Sequence, residues 1–526
     1  MALGRLIVVS GHVVAIIAGV ANSEASIMRL SFRRQPSPFL FAAALMPALV
    51  HCAASETLPA DQLIGGLWGG ESYLKATHAA ALSYGASTAL SADGNLLVIA
   101  APMQSSDSAL FAAGAAYVYA RQGASWKQTA QLSASSAEAG GAFGSSIALA
   151  ADGRTLIVGA PGEQMRKGAV YVFSLEAAGW QPKARLQASN GQAGDQFGSS
   201  VAIASNTGLV AVGAMYEDSS ETGTRALGGD DQLKDAGAVY LFDRQGSSWT
   251  QQPYLLKANS TNPDAHFGGS VALSADGATL AVGSAGESSV ERTINGYYYA
   301  AKIRADSGAV HVYAHRAGVW TTEAFIKAEN ADNNDAFGAS VSLSADGNEL
   351  AVGAPFESSS ATLINGSRNN NDAADAGAVY TYTRRATTWS QNDYIKASNA
   401  RSGARFGSSV TLSANGLVLA VGAIWENSAT RGPSAIPAGR PPNGERSSGE
   451  GAVYVFDRQK ADWNWSPKQF LKATNADKGD LFGVSVALSS TGSALAVGAI
   501  GEASGGLATP ADNSKPNSGA AYVYRR

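Results

Sequence analysis

One block of alternating and small apolar residues recurs along this chain. In outline it reads F-G-x-S-V-A-L-S-x-D-G-x-x-L-A-V-G-A-P, then, after a variable gap, G-A-V-Y-V-F, and then W-x-x-x-x-x-L-K-A. Ser-Val-Ala-Leu-Ser is a short apolar or alternating run, which predicts a first strand. The Asp-Gly, Asn-Gly or Thr-Gly after it predicts a hairpin turn of type I′ or a relative, and Leu-Ala-Val-Gly-Ala a second strand. Gly-Ala-Val-Tyr-Val-Phe predicts a third, and the segment from tryptophan to Lys-Ala, alternating polar and apolar, a fourth. Four-stranded antiparallel sheets repeated around an axis, with small residues near the crowded centre, form a β-propeller.

The block opens seven times, at Tyr84-Gly85, Phe143-Gly144, Phe197-Gly198, Phe267-Gly268, Phe337-Gly338, Phe406-Gly407 and Phe482-Gly483. The seventh unit ends at Arg526 without a tryptophan strand. Trp68 to Ala76 matches Trp389 to Ala397 in spacing and pattern, so the missing strand lies at the other end of the propeller region. The expected fold is all-β: a seven-bladed propeller of four-stranded blades, closed when this N-terminal strand completes the last blade and pairs its edge.

The residues that carry the repeat resemble the FG-GAP family, the β-propeller repeats of integrin α subunits and of many bacterial exported proteins. The resemblance runs from Trp68 to Arg526, with full motifs at Phe143-Gly144 with Gly159-Ala160-Pro161 and at Phe337-Gly338 with Gly353-Ala354-Pro355. It implies Ca²⁺ in the turn between the first two strands, held by alternate acidic residues. Here Asp93, Asp152 and Asp346 stand alone in their turns, and Asn415 and Thr491-Gly492 supply no carboxylate. Ca²⁺ takes six to eight oxygens, so neither a metal nor any other cofactor is expected.

Composition narrows the function. The 38 basic residues are outnumbered by 42 acidic ones, which argues against a nucleic-acid partner. A single cysteine, Cys52, leaves no internal disulfide and no thiolate-rich metal site. Apolar runs at residues 6–20 and 38–50, the second preceded by Arg29, Arg33 and Arg34, have the layout of a secretory signal. The second run is too short to span a bilayer. The expected organisation is an over-extended start at 1–27, a signal peptide at 28–54 cleaved after Ala54, a linker at 55–66 and the propeller at 67–526. The mature chain is expected outside the cytoplasm, in the periplasm, at the cell surface or free, as a monomer without a transmembrane helix. Lipid anchoring through Cys52 is the alternative, disfavoured by the bulk of His51 before it.

Three sets of side chains are candidates for function. Glu163, Glu217, Glu287, Glu357, Glu426 and Glu502 recur just past the second strand, with Gln104 in the first unit. The favoured reading has them accept hydrogen bonds from turn amides; the other is a cation site shared with Asp195, Asp264, Asp335 and Asp480. Trp68, Trp126, Trp180, Trp249, Trp320, Trp389 and Trp465 stand in register, as packing residues should. The long connections, near 216–236, 286–307, 356–376 and 425–450, all leave from one face, where variable insertions on a rigid scaffold usually carry recognition. Tyr297, Tyr298, Tyr299, Asn369, Asn370, Trp425 and Glu426 are therefore the candidate contacts for a protein or glycan partner. The other reading of these loops is that they pack on one another and cover the ring.

No catalytic residue is assigned. The six histidines stand in no triad or metal motif, and no G-x-S-x-G, H-E-x-x-H or P-loop occurs. The expected function is non-enzymatic binding, in adhesion or surface assembly. A carboxylate-based hydrolase or lyase at the axis and a structural envelope component are the alternatives.

Overall fold

The structure, a computed structural model, describes residues 66–76, 82–105, 110–296, 304–437, 448–460, 463–506 and 512–526. It also gives the backbone of a hairpin pairing Leu6–Val9 with His12–Ala15, in a separate unit, Met1–Thr57. The signal segment 28–54 with Cys52, and Tyr297, Tyr298 and Tyr299, lie outside the described residues.

Seven antiparallel sheets form the propeller. The fifth blade shows the pattern: Ser340–Leu343 innermost, then Glu349–Ala354, Ala378–Arg385 and Thr388–Ile395. In the seventh, Phe482–Leu488, Ala494–Ala499 and Ala520–Arg525 are completed by Gly69–Leu74, which pairs antiparallel with Ala520–Arg525. The third blade departs from expectation. Its fourth strand stops at Gln251 because Pro253 offers no N–H, and pairing resumes only as an isolated bridge from Val239 to Leu256.

The two glycines of the repeat have one physical cause. Each opening aromatic is fully buried, with Phe337 edge-on to Tyr380 and Tyr382 of its own blade. The glycine after it takes a left-handed φ, +92° at Gly338, and turns its carbonyl towards the preceding blade. There the oxygen rests against the penultimate residue of the second strand, a glycine: a Cβ on Gly353 would lie 2.1 Å from Gly407 O. A serine on the innermost strand donates to the same oxygen. Ser146 to Gly198, Ser200 to Gly268, Ser270 to Gly338, Ser340 to Gly407, Ser409 to Gly483 and Ser485 to Gly85 span 2.7–2.9 Å, the last crossing the closure.

The turns between first and second strands join in a second ring. Ala92 N donates to Ala151 O, Asn206 N to Ala275 O, Ala275 N to Ala345 O, Ala345 N to Ala414 O, Asn415 N to Ser490 O and Ser490 N to Ala92 O. Ala151 N donates to Ser205 Oγ and completes the circle. These turns are not type I′, which needs two successive left-handed residues. Only the glycine is left-handed, φ +68° at Gly347, and Gly347 N bonds to Ser344 O. Asp346 accepts from Ser344 Oγ, Asn348 N and Asn348 Nδ2, so the turn aspartate serves as an internal cap.

The insertions return to the outer strand of their own blade. Gly432–Ser434 forms a fifth strand on Trp465–Lys472, Ile364 bridges Ile395, Ala226 bridges Leu255, and Asn295 N bonds to Phe325 O. Among the described residues no helix is long and apolar enough to cross a membrane.

Candidate functional site

The recurring glutamates are buried, each about 1–3% exposed, and each meets a cation. Lys257 Nζ lies 2.6 Å from Glu217, Lys327 2.5 Å from Glu287, Lys396 2.5 Å from Glu357 and Lys472 3.0 Å from Glu426, while Lys75 bonds Glu502. The lysine is that of the L-K-A signature, at or just past the end of the outermost strand. In the second blade that position is Gln187, and Arg185 supplies the charge at 2.7 Å from Glu163. In the first blade the position is Ser133, and the glutamate is Gln104, bonded by the Tyr117 hydroxyl. Charge and partner therefore change together within one chain.

Turn amides also reach these carboxylates, as the sequence suggested: Ser289 N donates to Glu287 and Ser359 N to Glu357. A third contact joins blades. Asn330, at the exit of the fourth blade, donates to Glu357 at 3.0 Å and accepts from the Tyr380 hydroxyl at 2.7 Å. Asn190, Asn399 and Asn475 repeat the arrangement towards Glu217, Glu426 and Glu502. The lysine ammonium is thus the cation that this pocket already holds, and burial pulls the pKa of Lys396 and Lys327 down.

Asp195, Asp335 and Asp480 stand beside these pairs, each accepting the backbone N–H three residues earlier at 2.7 Å. Burial, with the adjacent glutamate, raises Asp195 to about 6 and Asp335 and Asp480 to about 7. Asp264 does not belong with them. It is one residue out of register, largely exposed, and paired with Lys234, which also bonds Asp235. Asp235, Asp264 and His266 bring potential ligand atoms within 4.8 Å of one another, with that ammonium among the carboxylates.

These raised values fix a pH response. A carboxyl that is more basic folded than unfolded binds a proton on folding, so stability rises as pH falls through its folded pKa. His311 acts oppositely. It occupies the tyrosine position of its blade with neither ring nitrogen hydrogen-bonded, and burial lowers it to about 3, so its penalty sets in as pH falls through the unfolded value of 6.5 and grows below it. Between pH 8.5 and 6.5 the aspartates outweigh the histidine. Thermal melts are expected to show the protein about 1–2 kcal/mol more stable at pH 6.5, and Asp335→Asn/Asp480→Asn should flatten that difference.

The sequence-predicted contacts divide. Glu426 is buried on Lys472. Asn369 is exposed, while Asn370 Oδ1 accepts from Ser360 N and Asp372 N and holds its own loop. Trp425 is half-buried beside Arg405, whose guanidinium lies 5.6 Å from its ring and 4.9 Å from that of Phe356. Two blades away Arg166 stacks likewise on Tyr216, its guanidinium 5.8 Å from the ring, with His266 edge-on to the tyrosine. Sequence reasoning missed both stacks, although all their members but Arg166 share two register positions: the residue before the recurring glutamate and the residue before the opening phenylalanine. The aligned tryptophans pack as expected, Trp68, Trp249, Trp320, Trp389 and Trp465 being buried and Trp126 and Trp180 half-buried.

The family model described as FG-GAP repeat matches residues 126–173, 180–242, 320–382, 389–456 and 465–524, more than half of the chain. The chain belongs to the FG-GAP repeat family. Each match runs from a register tryptophan into the third strand of the next blade, so the FG-GAP unit spans a blade junction. The span from Trp249 into the fourth blade, which contains the broken strand and His311, is unmatched. Among solved structures the chain is similar to the RRP9 WD40 repeats, at 11% identity over 87% of this chain and 97% of that one, with a TM-score of 0.48. It is also similar to Kuenenia stuttgartiensis hydrazine synthase, at 11% identity over 81% and 94%, with a TM-score of 0.45. Neither likeness carries a functional argument. No curated protein matches.

Proposed function

We propose that this FG-GAP propeller is an exported, non-enzymatic binding protein that holds a protein or glycan partner on the face bearing the insertions. The observation that carries the reading is the pair of half-exposed aromatic and arginine stacks on that face, Phe356–Arg405–Trp425 and Arg166–Tyr216–His266. Aromatic and arginine side chains concentrate binding energy at interfaces, and here stacking restricts them before a partner arrives. The insertions beside them are pinned to the outer strands, which lowers the ordering cost of recognition. The recurring carboxylates are engaged by lysine or arginine, which favours binding over acid–base chemistry. Export rests on the basic-then-apolar leader.

The test is a screen of the mature protein against glycan and purified envelope-protein arrays, with and without Ca²⁺. Phe356→Ala/Trp425→Ala is expected to weaken the strongest interaction roughly tenfold or more. Unchanged binding in the double variant sinks the assignment to this face, and a Ca²⁺ requirement overturns the metal-free reading.

A further inference from the structure

A groove of about 610 Å³ runs between the outer strand of the fifth blade and the third-to-fourth turn of the sixth. It opens at the opposite ends of the strands from the insertion face. The volume is within the roughly 300–1,000 Å³ usual for small-ligand sites, but the lining is polar rather than apolar. Amides and carboxylates dominate it, and internal bonds hold them in place. Arg384 Nε donates to Asn348 Oδ1 at 3.0 Å, Asn365 Nδ2 to Asp393 Oδ1 at 2.7 Å, and Asn392 bonds Thr383. Asn365 comes from the fifth-blade insertion, which reaches down the outer strand to close one side.

One aromatic ring stands at the lip. Trp463 is 39% exposed, and its backbone is left-handed at φ +56°, a conformation that a bulky residue rarely adopts. Arg458, itself buried, lies 4.5 Å from this ring and 4.5 Å from Trp465, and its Nη2 is 2.8 Å from Glu349 in the groove lining. The guanidinium fixes the indole and leaves much of it in solvent. The fold does not require this ring. Arg384 and Trp389 are five residues apart in the fifth blade and Arg458 and Trp465 seven apart in the sixth, so the turn carrying Trp463 is two residues longer. A strained, exposed aromatic outside the repeat register is a sign of function. One polar atom of the lining, Gln391 Oε1, has no hydrogen-bond partner among the described residues.

We infer that this groove binds an uncharged oligosaccharide, one pyranose ring lying on Trp463 and hydroxyls bonded by Asn392, Asp393 and Arg385. An aromatic platform beside fixed amides and carboxylates matches a sugar's apolar C–H face and its vicinal hydroxyls. The lining charges are mixed, Asp346, Glu349 and Asp393 against Arg384 and Arg385, which disfavours polyanions. The inference concerns a different surface from the insertion face and stands whatever partner that face takes.

The experiment is calorimetric titration of the intact protein with tetrasaccharides of β-1,4-glucose, α-1,4-glucose, mannose, galactose and N-acetylglucosamine, repeated with a sulfated oligosaccharide. At least one uncharged sugar is expected to saturate below about 10 mM. Trp463→Ala and Asp393→Asn should each weaken it roughly tenfold, with Trp463→Phe in between and melting temperatures unchanged. Phe356→Ala/Trp425→Ala should leave it intact. The inference is overturned if no sugar saturates, if the sulfated sugar binds best, if the Trp463 and Asp393 variants bind normally, or if only the insertion-face variant loses binding.

Discussion

Gly353→Ala is expected to cost at least about 4 kcal/mol, or to prevent folding, because its methyl has no space and the obstacle is backbone. The Cβ would lie 2.1 Å from Gly407 O and 2.3 Å from Ser340 Oγ, so the fifth and sixth blades must separate and the serine bond must break. Gly69→Ala is the control. Nothing lies within 4 Å of its Cβ and its φ is ordinary, so urea denaturation should place it within about 0.5 kcal/mol of the parent. The chain holds one natural exception, Ala100, at the same position in the first blade. Equal stability of the two alanine variants would show that the close packing at the glycine contact is not what binds blade to blade.

Lys396→Met is expected to destabilise by about 3–5 kcal/mol, since it leaves the Glu357 carboxylate buried without its counter-ion. Burial alone does not set this cost, because the glutamate also loses the bond that orients it towards Asn330 and Tyr394. The first blade suggests the remedy. Lys396→Ser/Glu357→Gln transplants its uncharged combination of Ser133 and Gln104, and the double variant should recover most of the loss in a denaturation cycle. A double variant no better than Lys396→Met would mean that the pair is not the coupled unit the repeats suggest.

The fold was legible because its determinants are local and repeated. The opening aromatic, the glycine after it and the tryptophan each solve the same packing problem once per blade, and the second-strand glycine does so in six of the seven, so copies in register identify the ring and its seam. The glutamate was legible as a position but not as half of an ion pair. Its lysine lies at the end of the outermost strand, 39 residues later in the fifth blade, and such a segment can equally point a lysine to solvent. Only the matched changes at Gln104 with Ser133 and at Arg185 carry that signal in one dimension. The hydrogen-bonded circle of turns was hidden for another reason. It is made by backbone groups, which any residue supplies, so a turn deprived of calcium ligands and a turn bonded to its neighbour look alike. Asp264 misled because one residue of slip is invisible in a composition-rich loop. The groove beside Trp463 depends on two blades meeting outside the repeat register, where periodicity says nothing.

The seam also sets a schedule. Glu71 and Tyr524, bonded at 2.9 Å across it, are 453 residues apart in the chain. At ordinary rates of synthesis, roughly 20–90 s pass between the emergence of the two. Throughout that time the strand Gly69–Leu74 has left the ribosome with no partner of its own, and every later blade is built before it can be used. The first piece of the propeller to be made is therefore the last to be placed, and that strand must stay unclaimed until the far end of its own chain arrives to take it.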